Sequence, residues 1–419
     1  MKTIILLILV TLSSSANALT VHCGNMFDSN KGKMLSNIYI EIEGGIFTKI
    51  EDYFDQQVEL DLADKYCLPG LIDMHTHISS EFTKNSYIEK FQLNEADYAF
   101  RSTVFAKRTL LAGFTTIRNL GDDFNVTIAL KKAINKGLVQ GPRIYTAGKS
   151  LASTGGHADP TNGYREGLLP NPGPKSGVIN GVAEAAQAVR QRYQDGADLI
   201  KITATGGVLS QASSGDNAQF NMEELKSIIA TASDYGFKVT AHAHGKEGMK
   251  RAIIAGVASI EHGTYLDEEI IKLMKKHGTY LVPTLIAGEW VTEKSKIEGF
   301  FPAVVAKKAA TIGPKIAGSF EKAHKAGVNI AFGTDSGVSA HGDNGKEFAL
   351  MVKAGMSPVK ALQAATINAA TLLGQIDRLG SIEVGKFADI VAVSENPLRK
   401  ITTLEEIKVV IKAGKVELK

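Results

Sequence analysis

From Pro69 to about Gly374, short apolar runs that end in polar residues alternate with stretches of helical periodicity. The runs are Gly70–His77, Thr115–Asn119, Ile144–Gly148, Leu199–Thr205, Lys238–His242, Ser259–His262, Tyr280–Thr284 and Asn329–Asp335. Helical stretches follow them, as at Met222–Tyr235, Gly245–Ala255 and Asp267–Lys276. Eight such alternations over about 300 residues predict a (β/α)8 barrel, an α/β fold. The rival is a doubly wound sheet, but its G-x-G-x-x-G first turn is missing. Two long connections interrupt the rhythm, Ser150–Asn180 after the third strand and Leu285–Thr311 after the seventh. Both emerge at the carboxyl rim of a barrel, where active sites sit, so both are candidate substrate walls.

The chain ends follow a different period. Asn37–Glu43 alternates apolar and polar residues, and Gly44-Gly45 then makes a hairpin turn. Gly380–Val393 and Ile407–Val416 repeat the strand pattern near the other end. The two ends are expected to pair into one small β-sandwich domain, from residues 19–68 and 375–419, around a barrel of residues 69–374. The first residues belong to neither. Lys2, an apolar run from Ile4 to Leu12 and Ala16-Asn17-Ala18 have the layout of a signal peptide spanning residues 1–18. The run is roughly half the ~20 residues that a spanning helix needs. Export is the expectation: a secreted or periplasmic protein, free of the membrane after cleavage.

Charge narrows the field. Lys and Arg number 47 against 44 Asp and Glu, and no basic block stands out, so nothing favours nucleic-acid binding. Only two cysteines occur, Cys23 and Cys67, which excludes a disulfide scaffold and a cysteine-built zinc site. Both lie in the β domain, and export would permit a disulfide between them, a point that spacing leaves open. The remaining metal-type donors are the histidines.

His75-Thr76-His77 ends the first barrel strand, and period two sends both imidazoles to the same side. H-x-H alone is weak evidence. It gains weight because Lys201 sits inside the fourth strand's apolar run, and His242, His262 and Asp335 end the fifth, sixth and eighth strands. A lone histidine on an apolar strand is usually a core residue; six donors converging at one rim are not.

In this pattern the chain resembles the amidohydrolase superfamily, over essentially the whole of residues 19–419. Leu68-Pro-Gly-Leu-Ile-Asp-Met-His-Thr-His77 and Gly333-Thr-Asp-Ser-Gly337 look like its hallmarks. Ser153-Thr-Gly-Gly-His-Ala-Asp159, Ala204-Thr-Gly-Gly-Val208, Ala241-His-Ala-His-Gly245 and His341-Gly-Asp-Asn-Gly-Lys-Glu-Phe348 look like its exported prolidase-like and Xaa-Arg carboxypeptidase-like branch, close to ochratoxin-hydrolysing amidases. The resemblance implies two metals, best zinc for nitrogen and oxygen donors. His75, His77 and Asp335 would hold one, and His242 and His262 the other. A buried, unpaired lysine is costly as an ammonium. As a carbamate (N6-carboxylysine), Lys201 would bridge the pair. Bridging hydroxide would then be the nucleophile, with Asp335 as proton shuttle. Gly333–Gly337 is not a G-x-S-x-G elbow, because Asp335 stands at its centre.

Substrate contacts are expected from His157, His244, Arg165 and His341, with Lys149 a further possible carboxylate donor. Arg118 reads as structural, and Trp290 as a core plug or substrate wall. The expected reaction is release of a C-terminal amino acid from dipeptides or N-acyl amino acids. An amidase for bulkier substrates such as ochratoxin-type toxins is the alternative. A non-enzymatic barrel scaffold would show missing ligands, and all six positions are filled. The resemblance also implies a homo-oligomer, up to an octamer.

Overall fold

The computed structural model describes residues 19–419 apart from 56 and 214, so the expected signal peptide at 1–18 lies outside the described residues. Four strands come first: β1 (Leu19–Asp28), β2 (Lys33–Glu43), β3 (Ile46–Glu51) and β4 (Leu60–Pro69). Seven parallel strands follow: β5 (Leu71–Thr76), β6 (Phe114–Asn119), β7 (Arg143–Thr146), β8 (Ile200–Thr203), β9 (Val239–Ala243), β10 (Ser259–His262) and β11 (Tyr280–Val282). The chain closes with β12 (Ile390–Val393), β13 (Val409–Lys412) and β14 (Lys415–Leu418).

Strands from both ends of the chain meet in one sheet. Its seven strands run in the order β14-β13-β12-β4-β1-β2-β3. Edge strand β3 bonds back to the stretch before β12, through Phe47 N to Lys386 O and Gly385 N to Phe47 O. The sheet therefore curls around its own core of Val21, Ile40, Phe47, Leu62, Ile390 and Ile411. Cys23 and Cys67 meet inside it as a disulfide.

The central strands form parallel sheets of three (β5-β6-β7) and four (β11-β10-β9-β8). Residues 329–335, expected as an eighth strand, form no regular ladder, only an isolated bridge from Ile330 to Leu281. Asp335 sits at φ +59°, which breaks the pleat. The segment still bonds on both flanks, with Ala331 N to Leu281 O on one side and Met74 N to Phe332 O on the other. At the opposite margin, Leu151 N bonds to Lys201 O and Thr203 N to Leu151 O.

Helices lie between strands largely where periodicity put them, at Met222–Asp234, Lys246–Ala255 and Glu268–His277. The first is held by a reciprocal cap: Asn221 Oδ1 accepts from Glu224 N, and Glu224 Oε2 from Asn221 N, each at 2.9 Å. The second long connection is not open loop. It folds into helices Leu285–Lys294 and Ala303–Ala309. Glu347 makes the first possible by accepting Leu285 N at 2.9 Å and Ile286 N at 2.7 Å. No helix among the described residues is long and apolar enough to cross a membrane.

Candidate active site

The carboxyl ends of β5, β8, β9 and β10 and the 329–335 segment converge on one cavity of about 210 Å³. His75, His77, Lys201, His242, His262 and Asp335 all line it, and so do His157 and His244. Its other walls are largely aliphatic, including Leu120, Val208, Leu209, Val291, Ile312, Ile316 and Val338.

Each strand-borne imidazole uses one nitrogen on a protein partner and keeps the other. His75 Nδ1 lies 2.9 Å from Glu261 Oε2. His262 Nδ1 lies 2.7 Å from Thr284 Oγ1, and His244 Nδ1 lies 2.6 Å from Thr264 Oγ1. His242 reverses the pattern, with Nε2 on Gly206 O at 3.0 Å, which leaves Nδ1. A partner on one ring nitrogen fixes the tautomer and exposes the other nitrogen as a metal ligand. His75, His77 and Asp335 form a compact group of donors. Asp335 Oδ1 lies 3.3 Å from His75 Nε2 and 3.2 Å from His77 Nε2. The other rings continue from there, with His262 5.0 Å from His75 and 4.8 Å from His242 between centroids.

Electrostatics keep the buried rings of His75, His157, His242, His244 and His262 in their neutral form. Burial, reinforced by neighbouring positive or imidazole groups, holds His75, His242 and His262 well below the ordinary imidazole value. Burial also takes His157 down to about 3 and His244 to about 4. Asp335 goes the other way. Burial raises a carboxyl, but the favourable interactions with His75, with His77 (which also donates a hydrogen bond) and with Lys201 outweigh it and hold Asp335 below its usual value. Lys201 is 3% exposed and forms no ion pair among the described residues. Burial brings its amine down to about 8. A lysine so placed reaches its neutral, nucleophilic form far more readily than a solvated one.

Residues outside the expected set hold this arrangement. Glu261 is fully buried and takes Arg118 Nη2 at 2.8 Å, Ser259 Oγ at 2.6 Å and the Thr240 hydroxyl, as well as His75. Arg118 is thus structural, as expected. Asp73, also fully buried, accepts His75 N at 3.0 Å and Thr334 Oγ1 at 2.6 Å, tying β5 to the 329–335 segment. His262, Thr284 and Asp335 adopt left-handed backbone, at φ +69°, +54° and +59°. Three non-glycine residues in that region are strained, and such strain persists where surrounding bonds over-determine it.

Two expected substrate residues fall elsewhere. Arg165 is exposed, and its Nη1 donates to Glu166 O at 3.3 Å. It does not line the cavity, because a long flexible cation is better solvated outside than in an aliphatic pocket. His341 is buried behind the rim, with Nε2 on Ser80 O at 2.8 Å and its ring stacked on Phe105. Lys149 stands over the Phe124 ring, away from the cavity lining. Trp290 packs against Phe82 and Phe300, so it fills the rim.

Strands that deliver imidazoles, a lysine and an aspartate to one buried cavity define an α/β enzyme suited to metal-assisted hydrolysis. The Amidohydrolase family model matches residues 66–416, and the chain belongs to that family. It is a hydrolase acting on C–N bonds. The crystal structure of a Xaa-Pro dipeptidase with bound methionine in the active site is 50% identical, with TM-score 0.93, covering 96% of this chain and 99% of that one. A prolidase complexed with N-methylphosphonate-L-proline is 31% identical, with TM-score 0.87 and coverage of 96% and 99%. Ochratoxinase from Aspergillus niger is 35% identical over 365 residues, 83% of this chain and 75% of the relative.

Proposed function

We propose that the protein is a binuclear metal-dependent amide hydrolase that releases a C-terminal amino acid from dipeptides or N-acyl amino acids. The observation that carries this is the cavity itself: buried neutral imidazoles with one nitrogen free, beside an ionised Asp335 and an unpaired Lys201. That donor set fits zinc. His75, His77 and Asp335 would hold one ion and His242 and His262 the other, with Lys201 as a carbamate between them. The bonds on both flanks of the 329–335 segment and at the β7–β8 margin support a closed eight-stranded barrel as the frame.

Bound metals would supply a polarised substrate carbonyl and an activated water. The chain's own residues do the rest. Asp335 takes the proton of the attacking water and passes it to the leaving amide nitrogen. His157 Nδ1 is buried without a hydrogen-bond partner in the structure, so a bound substrate gains a bond there and loses none. The aliphatic walls favour an apolar side chain on the substrate and exclude bulk water around the scissile bond. The similarity to a dipeptidase and to a prolidase supports a dipeptide substrate, and that to ochratoxinase supports the bulkier alternative. Export, into an oxidising compartment, is supported by the Cys23–Cys67 disulfide.

The test is a panel of dipeptides and N-acyl amino acids varied at the C-terminal residue, offered to protein loaded with zinc in bicarbonate. Release of free amino acid, fastest for apolar residues and lost in Lys201→Ala, is expected. No release from any member would overturn the reading.

A further inference from the structure

Three backbone carbonyls of one rim loop converge on a single ammonium from another. Lys308 lies on helix Ala303–Ala309, inside the second long connection. Its Nζ donates to Gly207 O at 2.8 Å, Ser210 O at 2.7 Å and Ala212 O at 2.8 Å. All three ammonium donors are thereby used. These carbonyls belong to the loop after β8, the strand that carries Lys201.

That loop stands at a boundary. Val208 and Leu209 line the inner cavity, while Leu209 and Ser210 also line an outer hollow of about 460 Å³. It also touches two imidazoles. Gly206 O bonds to His242 Nε2, which sets the nitrogen that His242 keeps free. Gly207 packs so tightly on His157 that a Cβ there would fall 2.2 Å from the ring. His157 in turn stacks on His242, with centroids 4.4 Å apart and planes 26° from parallel.

We propose that Lys308 is a positioning residue whose ammonium latches the 206–212 loop at the cavity mouth and thereby sets the orientation of His242 and His157. The physics is local. Carbonyl dipoles aimed at one point repel each other unless a cation sits between them, and without it they turn to solvent. Turning Gly207 moves its neighbour Gly206, and with it the bond that orients His242. Lysine suits the task better than arginine, because three converging acceptors match a compact ammonium and not a planar fork. The consequence for His242 rests on the reading of that residue as a metal ligand.

The experiment compares wild type with Lys308→Met and Lys308→Arg by backbone hydrogen exchange and by zinc competition against a chelator. Lys308→Met should speed exchange in the 206–212 loop, with the remaining strands protected as before. Lys308→Arg should do so to a smaller degree. Zinc affinity of Lys308→Met should fall by roughly 10- to 100-fold, the usual result of removing a group that orients a ligand. Exchange in the loop unchanged in both variants would overturn the latch. The exchange measurement needs no metal, so a wild-type chain that bound no zinc would count against the reading of His242 as a metal ligand instead.

Discussion

Asp335 stands within 3.3 Å of two imidazole nitrogens and carries its charge through burial. Those features suit a ligand and a proton carrier at once, and an amide in its place separates the roles. Asp335→Asn keeps an oxygen donor but has no carboxylate to accept a proton. Its turnover should fall by ~10²-fold or more while bound zinc falls less. Steady-state rates paired with metal content on the same sample check this; near-normal turnover at full occupancy would remove Asp335 as the shuttle. At this scale the sequence was most legible where period two meets a strand end, at His75, His77, His242 and His262. Glu261 was missed although it could have been found, since a carboxylate two residues from Ser259 inside an apolar strand must be paired within the core. Arg165 misled because a cation near glycines in sequence says nothing about which way its loop faces.

Between strands and helices, periodicity located the long, regular elements and failed where partners from afar decide. Helix Leu285–Lys294 begins at Thr284 in left-handed backbone, with Glu347 accepting its first amides from over 60 residues away. No local pattern announces that. The 329–335 segment lost its ladder for a similar reason, since Asp335 turns to meet His75 and His77. In the curled sheet, the Cys23–Cys67 disulfide joins two strands that also pair in parallel, β1 and β4, across a separation of 44 residues. Closing a loop of that length stabilises a chain by about 4 kcal/mol in the loop-entropy treatment. A Cys23→Ala/Cys67→Ala variant should therefore lose roughly 2–5 kcal/mol in urea titration. A loss under ~1 kcal/mol would mean that the wrapped sheet alone holds these strands.

Across the whole molecule, buried ionisable groups pull stability in opposite directions with pH. Burial drives Asp73 up to about 6, Asp122 to about 7 and Glu347 to about 8. Each of these favours the folded chain as pH falls, because the folded state holds its proton more tightly. The buried histidines oppose them. His341 is taken down to about 4 by burial, from an ordinary value of 6.5. Between those two values the unfolded chain binds the extra proton, so this group's contribution is present above pH 6.5 and lost as pH falls toward 4. Subtracting a variant isolates it from the opposing carboxylates. The stability advantage of wild type over His341→Asn should shrink on acidification by at most about 1.4 kcal/mol per pH unit. Denaturant titrations at several pH values measure it, and a difference that stays flat would show that His341 is not held neutral.

The most direct measurement on the centre is a zinc titration of metal-free protein in bicarbonate, with bound metal and amide hydrolysis followed together. Five donors and a carbamate bridge require saturation near two ions per chain, with hydrolysis rising as the second fills. Lys201→Ala should bind fewer ions and hydrolyse nothing. Saturation at one ion in wild type, or two tightly held ions in Lys201→Ala, would contradict the bridged binuclear centre.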